Sequence, residues 1–185
     1  MRIITGQWRG RRLEVPNHDI TRPTMDRTRE AVFGILRARD VVRDAQVMDI
    51  FAGSGAYGFE ALSQGASHVT FIESNKQAQQ AIQANITTFG CTAQATLLPI
   101  EAQKIPITTQ PATLVFMDPP YHSDLIAATL DLLKVKGWIT ADSLLVIELH
   151  KDEPDPSHVT ILDSRRYGVS KIVLCLMPAD KDTRQ

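Results

Sequence analysis

The sequence predicts an α/β fold built on a doubly wound, mostly parallel sheet of seven strands. From residue 46 onwards, five short apolar runs alternate with segments of helical periodicity. Continuous apolar strands separated by helices are typical of a parallel sheet that is covered on both faces. Two further apolar runs near the end of the chain are joined by a short polar turn, which predicts a terminal antiparallel hairpin added to the sheet.

The individual elements follow from these patterns. Strands are predicted at residues 47–51, 69–72, 96–98, 114–117 and 144–147, with the terminal hairpin at 159–162 and 172–177. Helices are predicted at residues 26–39, 57–64, 75–89 and 123–134. The third helix is expected to begin with a capping box formed by Ser74 and Gln77. An open sheet of this kind binds ligands at the carboxyl ends of its strands, near the point where the strand order reverses.

Length and composition indicate one compact globular unit. The chain has 185 residues, of which 43% are hydrophobic and 22% charged, so a disordered or fibrous protein is excluded. No apolar run approaches the length of a membrane span, and the first residues lack the apolar core of a secretory signal, which predicts a cytoplasmic protein without a membrane partner. Cys91 and Cys175 lie far apart and are expected to be buried thiols, and no metal site is predicted.

Positive charge is concentrated near the start of the chain. Residues 1–43 hold ten arginines, no lysine and five acidic residues, whereas the remainder holds ten basic and sixteen acidic residues. Residues 1–23 are predicted to form a small basic β-hairpin appendage in front of a main domain over residues 24–185. Because guanidinium groups match phosphate oxygens, phosphate contacts are expected from Arg9, Arg11, Arg12 and Arg22.

A glycine-rich turn follows the first predicted strand. Gly53, Gly55 and Gly58 have the spacing of a dinucleotide-binding turn, and Glu73 comes twenty residues after the first of them, at the end of the next strand. This pattern predicts an adenosine-containing cofactor whose ribose meets the glutamate. Asp49, at the mouth of the first strand, would repel a pyrophosphate and attract a sulfonium or amino group, which favours S-adenosylmethionine over NAD.

A second motif, Asp118-Pro119-Pro120-Tyr121, closes the fourth predicted strand. The prolines stiffen the backbone and lack N–H donors, so carbonyl oxygens remain available as acceptors at the ligand edge of the sheet. The Asp118 carboxylate and the Pro119 carbonyl could hold the two N–H groups of an exocyclic amine, while Tyr121 offers a flat face to a nucleobase. The motif therefore predicts transfer of a group to an amine of a base, by positioning and electrostatics.

Taken together, these motifs resemble a bacterial family, the RsmD-like small-subunit methyltransferases, which methylate the N2 amine of a guanine in 16S ribosomal RNA. The matching pieces occur in order along nearly the whole chain: Met1-Arg-Ile-Ile-Thr-Gly6, Trp8-Arg9-Gly10-Arg11, Arg22-Pro23-Thr24 with Asp26-Arg27 and Arg29-Glu30, Asp49 with Phe51-Ala-Gly-Ser-Gly55, Glu60-Ala61-Leu62, and Asp118-Pro-Pro-Tyr121. The pairing of the last motif with the arginine-rich opening is far more specific than either piece alone.

The resemblance implies a class I S-adenosylmethionine-dependent, Rossmann-like methyltransferase. Its cofactor site would be lined by Asp49, Ala52, Gly53, Ser54 and Gly55, with Glu73 on the ribose, Glu101 and Ala102 at the adenine, and Thr24 and Arg27 over the methionine end. Asp118, Pro119, Pro120 and Tyr121 would form the catalytic motif. The implied partner is ribosomal RNA within a small-subunit particle, and the basic hairpin is then hypothesised to be an RNA clamp and not an element of the fold.

Three alternatives stay open at this point. A DNA amino-methyltransferase acting on adenine N6 or cytosine N4 shares the chemistry, although 185 residues leave little room for a target-recognition domain. An NAD-dependent oxidoreductase fits the glycine spacing, and a non-catalytic RNA-binding module fits the fold. The sequence also leaves open two roles for Glu148, which ends the fifth strand: a substrate contact or a structural ion pair. The roles of His122 and Trp8, the modified nucleotide and the oligomeric state are not decided.

Overall fold

Seven strands form one sheet in the computed structural model, which describes residues 1–16 and 23–178, with side chains described from residue 26 in the second range. The strands are β1 (Gln46–Ile50), β2 (His68–Ile72), β3 (Ala95–Leu98), β4 (Leu114–Met117), β5 (Leu144–His150), β6 (Thr160–Tyr167) and β7 (Ser170–Leu176). The α-helices are α1 (Pro23–Ala38), α2 (Ala56–Ser63), α3 (Lys76–Phe89) and α4 (Leu125–Val135), with short 3₁₀ turns at Thr92–Gln94 and Ala102–Lys104.

The strand order is β3-β2-β1-β4-β5-β7-β6. Strands β1 to β5 pair in parallel, and β7 runs antiparallel between β5 and β6. The order reverses between β1 and β4, so the crevice at their carboxyl ends is the expected ligand site. The predicted doubly wound, mostly parallel fold with a terminal antiparallel hairpin is confirmed. No helix in the described part of the chain is both long and apolar enough to cross a membrane.

Alternating side chains of the strands divide the core into two layers. Helices α1, α2 and α3 cover one face of the sheet, where Phe33, Phe59 and Ile82 pack against strand residues such as Phe116. Helix α4 and the second 3₁₀ turn cover the other face, where they pack with the strand residues Met48, Val115 and Leu145. Both faces of the central strands are therefore buried, which explains why these strands are continuous apolar runs in the sequence.

Two local predictions need correction. Helix α3 does not begin with the Ser74 capping box, because Asn75 is the capping residue and its Oδ1 accepts from the backbone N–H groups of Gln77 and Ala78 at 2.9 and 3.2 Å. Residues 164–168 were predicted to form the turn of the terminal hairpin. Most of them belong to strand β6, and the turn lies at Gly168 and Val169. Strand β6 is an exposed edge strand, so its polar residues give no apolar signal in the sequence.

The N-terminal segment is an integral part of the fold. The predicted hairpin is present as a short antiparallel pairing: Arg2 and Arg12 form a bridge, and the N–H groups of Ile3 and Leu13 donate to the carbonyls of Arg11 and Met1 at 3.0 and 3.2 Å. Ile3, Trp8 and Leu13 are buried in the core layer beneath α2 and α3, and the Trp8 ring stacks on Phe89 with centroids 4.7 Å apart. The hypothesis that this segment is only a clamp outside the fold is therefore wrong, because its apolar side chains complete the core.

Candidate active site

The glycine-rich turn between β1 and α2 has the backbone that its sequence predicts. Phe51, Gly53 and Gly55 all have positive φ, at 59°, 54° and 76°. A Cβ on Gly55 would lie 2.8 Å from the Phe59 ring, so this position needs glycine for space as well as for conformation. Gly55 is buried and caps α2, whereas Gly53 is half-exposed and lines a cavity.

Asp49 lies buried at the end of β1, where its Oδ2 accepts from the backbone N–H of Gly58 at 2.9 Å. Burial raises the pKa of this carboxyl from 3.8 to about 8, the Gly58 hydrogen bond lowers the pKa in part, and the nearby Glu73 charge raises it further. Asp49 thus helps to hold the turn and also places an ionisable group against the cavity. A cation at this point would favour the charged carboxylate.

Glu73, at the carboxyl end of β2, connects two backbone segments. Its Oε2 accepts from the N–H of Gly53 at 2.8 Å, and its Oε1 accepts from the N–H of Asn75 at 2.7 Å. Each carboxylate oxygen has a second lone pair, which can accept from a ribose hydroxyl. The ribose role of Glu73 remains a prediction, and the structure adds a second role in fixing the glycine turn.

A cavity of about 780 Å³ opens at the carboxyl ends of β1, β2, β4 and β5. A smaller cavity of about 160 Å³ adjoins it, and the two share Phe51, Asp118 and Glu148. The larger cavity is lined by the predicted cofactor residues Glu73, Glu101 and Ala102 and by Ile72, Ile100, Pro119, Pro120, Tyr121, Val169 and Ser170. The smaller one is lined by the predicted residues Asp49, Ala52, Gly53 and Ser54 and by Met1, Arg29 and Tyr57. The larger cavity has room for a nucleoside-sized ligand, and the smaller one has room for a further group attached to it.

The N-terminal half of α1 supplies a cationic residue, Arg29, that was not among the predicted site residues. Arg29 has a side chain that is 3% exposed, lines the smaller cavity and donates to the Arg2 carbonyl at 2.7 Å and to Asp26 at 3.1 Å. Arg27, the predicted residue, is exposed and lines neither cavity. Two positions along a helix differ by about 200°, so only one of these arginines can face the site. The Thr24 side chain lies outside the described residues.

The Asp118-Pro-Pro-Tyr motif begins directly after β4, at the junction of the two cavities. Asp118 is half-buried and lines both of them, and Pro119 is buried behind it. The Pro120 carbonyl accepts from Ser123 Oγ at 2.6 Å, which fixes the loop. Tyr121 is 39% exposed, so its ring is accessible while its hydroxyl is held by neighbouring side chains.

Glu148, whose role the sequence left open, lies beside this motif. Glu148 Oε2 accepts from the Tyr57 hydroxyl at 3.1 Å, and its Oε1 accepts from the Tyr121 hydroxyl at 3.3 Å. Burial, the negative charges of Glu148 and Asp118 and the hydrogen bond to Glu148 raise the pKa of Tyr57 well above 10. Burial raises the pKa of Tyr121 to about 12. Both phenols therefore stay protonated donors at neutral pH.

The four arginines that were predicted to bind phosphate differ in their surroundings. Arg9 and Arg12 are exposed. Arg11 is also exposed, but its guanidinium donates to the Thr88 carbonyl at 2.7 Å and lies 4.4 Å from the centroid of the Phe89 ring, so it ties the N-terminal segment to α3. Arg22 lies outside the described residues.

Comparison with known proteins identifies the family. The family model described as "Conserved hypothetical protein 95" matches residues 1–176. The chain belongs to this family. The resemblance found in the sequence is thereby confirmed, since a curated relative from Haemophilus influenzae, named Ribosomal RNA small subunit methyltransferase D, is 35% identical over 176 residues, covering 91% of this chain and 90% of the relative. A relative of the same name from Escherichia coli K12 is 40% identical over 152 residues, covering 80% and 74%.

Solved structures agree with this assignment. The Escherichia coli protein yhhF superposes with a TM-score of 0.83 at 36% identity, covering 97% of this chain and 98% of that one. A magnesium protoporphyrin IX methyltransferase from Synechocystis, solved with bound S-adenosylmethionine, has a TM-score of 0.66 at 14% identity and covers 84% and 80%. At that identity the likeness concerns the fold alone, and it agrees with the doubly wound sheet described above.

Proposed function

We propose that this protein transfers the methyl group of S-adenosylmethionine to the exocyclic N2 amine of a guanine in 16S ribosomal RNA. The observation that carries the proposal is the position of Asp118, which borders both adjoining cavities at the switch point of the sheet. The names of the relatives supply the acceptor class, the RNA of the small ribosomal subunit. A DNA substrate or a nicotinamide cofactor has no comparable support.

The residues around the two cavities suit the parts of the methyl donor. Ile72, Ile100 and Ala102 offer apolar walls for an adenine, and Glu73 offers acceptors for the ribose hydroxyls. Asp49 and Arg29 line the smaller cavity. The Arg29 guanidinium matches the carboxylate of a methionine moiety, and the Asp49 carboxyl matches its ammonium group once that cation has displaced the proton. The donor supplies an electrophilic methyl group on a positively charged sulfur.

Asp118 and the Pro119 carbonyl then hold the acceptor amine. The lone pair of an exocyclic amine is delocalised into the base, and two acceptors on its N–H groups favour a pyramidal nitrogen whose lone pair points at the methyl group. The nitrogen–carbon bond forms while the carbon–sulfur bond breaks and its electrons neutralise the sulfur. The proton lost by the nitrogen passes to the Asp118 carboxylate. Catalysis is then positioning and electrostatics, with no covalent enzyme intermediate.

An acceptor panel tests the proposal. The protein is incubated with methyl-labelled S-adenosylmethionine and, separately, with undermodified small-subunit RNA, undermodified small-subunit particles, large-subunit RNA and duplex DNA. We expect label in small-subunit RNA, free or within the particle, and none in DNA. Label in DNA alone, or binding of NADH without binding of S-adenosylmethionine, would contradict the proposal.

Cofactor affinity should depend on pH through Asp49. Its pKa of about 8 means that the carboxyl is mostly protonated at neutral pH, and a cationic group that pairs with it must first displace the proton. Affinity for S-adenosylmethionine should therefore rise from about pH 6 towards about pH 8, by up to about tenfold per pH unit. Calorimetry in buffers of different ionisation enthalpy should show release of up to about one proton on binding at the acidic end of this range. Asp49→Asn should remove the dependence, and proton release in that variant equal to wild type would exclude Asp49 as its source.

The exposed arginines of the N-terminal segment should affect RNA binding and not folding. Replacing Arg9 and Arg12 together by Ala should raise the KM for RNA, with little change in Tm. The slope of log affinity against log salt should become shallower by roughly 0.7–0.9 for each phosphate that these side chains neutralise in the wild type. Arg11→Ala is the matched comparison, because it also removes the interactions with Thr88 and Phe89 and should lower the Tm. Salt slopes identical to wild type in the Arg9 and Arg12 variant would show that these side chains do not bind phosphate.

A further inference from the structure

Two carboxylates stand side by side at the acceptor end of the sheet. Strands β4 and β5 are parallel neighbours whose register ends with Met117 beside Ile147. The next positions are Asp118, directly after β4, and Glu148, within β5, so they lie side by side, about 5 Å apart at the backbone. Both side chains line both cavities. The proposed mechanism uses only Asp118, and Glu148 is left without a function.

Glu148 is held in one orientation by neutral donors. One phenol binds each carboxylate oxygen, from Tyr57 on one side and Tyr121 on the other. The Tyr57 ring is fixed by stacking on Phe116 at 4.9 Å, and the Tyr121 hydroxyl is fixed by Ser170 Oγ at 2.8 Å. Among the described residues, no lysine, arginine or histidine lies within 4.0 Å of this carboxylate as an ion-pair partner. Glu148 is therefore a positioned anion with lone pairs left to accept further donors.

The Watson–Crick edge of guanine is complementary to such a pair of anions. In guanine the ring nitrogen next to the exocyclic amine carries a hydrogen, so N1–H and the N2 amine present adjacent donors. In adenine and cytosine the ring nitrogen next to the exocyclic amine is an acceptor, whose lone pair would face the lone pairs of the second carboxylate. A site built to accept from a donor rejects the analogue that lacks it, because its polar group is then left unpaired.

We infer that Glu148 is the residue that selects guanine, by accepting a hydrogen bond from N1–H while Asp118 holds the N2 amine. The inference rests on the proposed function and adds the basis of its specificity. It assigns the two carboxylates different tasks: Asp118 activates the amine, and Glu148 recognises the neighbouring ring position. It also gives the two tyrosines a task, since they fix the recognising carboxylate at the distance that the base requires.

The test uses an acceptor that keeps the amine and loses N1–H. In 2-aminopurine the same exocyclic amine stands next to a ring nitrogen that only accepts. The target guanosine, located first in the wild-type reaction, is replaced by 2-aminopurine in small-subunit RNA joined by ligation. The measured quantity is the ratio of kcat/KM on guanine to kcat/KM on 2-aminopurine for each enzyme. Because one enzyme is compared on two acceptors, the folded fraction and the cofactor affinity cancel.

Wild type should favour guanine strongly, and Glu148→Gln should lower the ratio by about 10- to 100-fold, the range for a single base-edge contact. The amide of Gln can donate to the ring nitrogen of 2-aminopurine, whereas guanine loses its charged acceptor. Asp131→Asn, which removes an exposed carboxylate from α4, is the control and should leave the ratio unchanged. If Glu148→Gln is inactive on both acceptors, Tyr57→Phe keeps the carboxylate, removes one of its anchors and should lower the ratio by a smaller factor.

The outcomes separate the inference from the function on which it rests. A wild-type enzyme that places no methyl group on guanine N2 contradicts the proposed function. A wild-type enzyme that does so but uses 2-aminopurine equally well overturns only the role of Glu148. An unchanged ratio in Glu148→Gln overturns it as well, and so does an unchanged ratio in Tyr57→Phe where the first variant is inactive.

Discussion

Asp118→Ala should reduce the rate of methyl transfer by about 10²–10³-fold, the usual loss when one positioned polar group is removed from a transition state. The reason is that Asp118 borders the acceptor side of the site and is proposed to hold the amine and take its proton. Affinity for S-adenosylmethionine should change little, because the groups assigned to adenine and ribose lie on β2 and the loop after β3. Single-turnover rates with saturating RNA, together with calorimetric titration of the cofactor, measure the two effects separately.

The amide variant sharpens this prediction. Asp118→Asn keeps an oxygen that can accept one N–H group and should retain part of the activity, whereas it cannot take up the proton. Asp131→Asn again serves as the control for loss of an exposed carboxylate. Wild-type turnover in Asp118→Ala would show that the amine is held by other groups, and the mechanism proposed above would have to be abandoned.

Glu60→Ala should lower the free energy of unfolding by about 3–5 kcal/mol, the usual loss when one partner of a buried ion pair is removed. Glu60 is fully buried in α2 and accepts from the backbone N–H groups of Ile4 and Thr5, both at 2.8 Å. Its Oε2 lies 3.9 Å from Nε of the buried Arg29, and this Nε atom has no hydrogen-bond partner, although the same guanidinium donates through its other nitrogen to Arg2 and Asp26. The substitution leaves two backbone N–H groups without their acceptor and removes the carboxylate that faces Nε of the buried Arg29.

Urea denaturation measures this effect. Glu30→Ala, which removes an exposed glutamate from α1, should change the unfolding free energy by less than about 0.5 kcal/mol and is the matched control. Because Arg29 also lines the smaller cavity, Glu60→Ala should weaken cofactor binding as well. A loss of stability below about 1 kcal/mol would mean that water or a shifted side chain replaces the carboxylate, and that the N-terminal segment is docked mainly by its apolar residues.

The parts of the fold that the sequence predicts well are those whose signal is local. Strands β1 and β4 are short apolar runs, and the motifs that follow them are contiguous, so both the sheet and the positions of Asp49 and Asp118 could be predicted. Strand β6 was missed in part because an exposed edge strand needs no apolar residues. Asn75 caps α3 where Ser74 was predicted, because both residue types can cap and the helix begins at Lys76, which puts Asn75 in the capping position.

The parts that were missed depend on contacts between distant residues. Tyr57 and Glu148 are 91 positions apart and meet only because α2 packs on β1 and β2, from where the Tyr57 ring reaches Phe116 on the next strand, β4. Arg29 faces the cavity instead of Arg27 because Glu60 on α2 and the Arg2 carbonyl hold its guanidinium. Trp8 lies in the core because α3 offers the ring of Phe89. None of these pairings has a spacing in the sequence from which it could be derived.

The central claim is that two neighbouring carboxylates, Asp118 directly after β4 and Glu148 on β5, present the N2 amine of a guanine to the methyl donor. The most direct test is to methylate undermodified small-subunit RNA with S-adenosylmethionine carrying a deuterated methyl group, to digest the RNA to nucleosides and to identify the deuterated product by mass spectrometry against chromatographic standards. We predict a single labelled nucleoside, N2-methylguanosine, which disappears with Asp118→Ala. Label in N6-methyladenosine, in N4-methylcytidine or in a ring-methylated guanosine would contradict the claim.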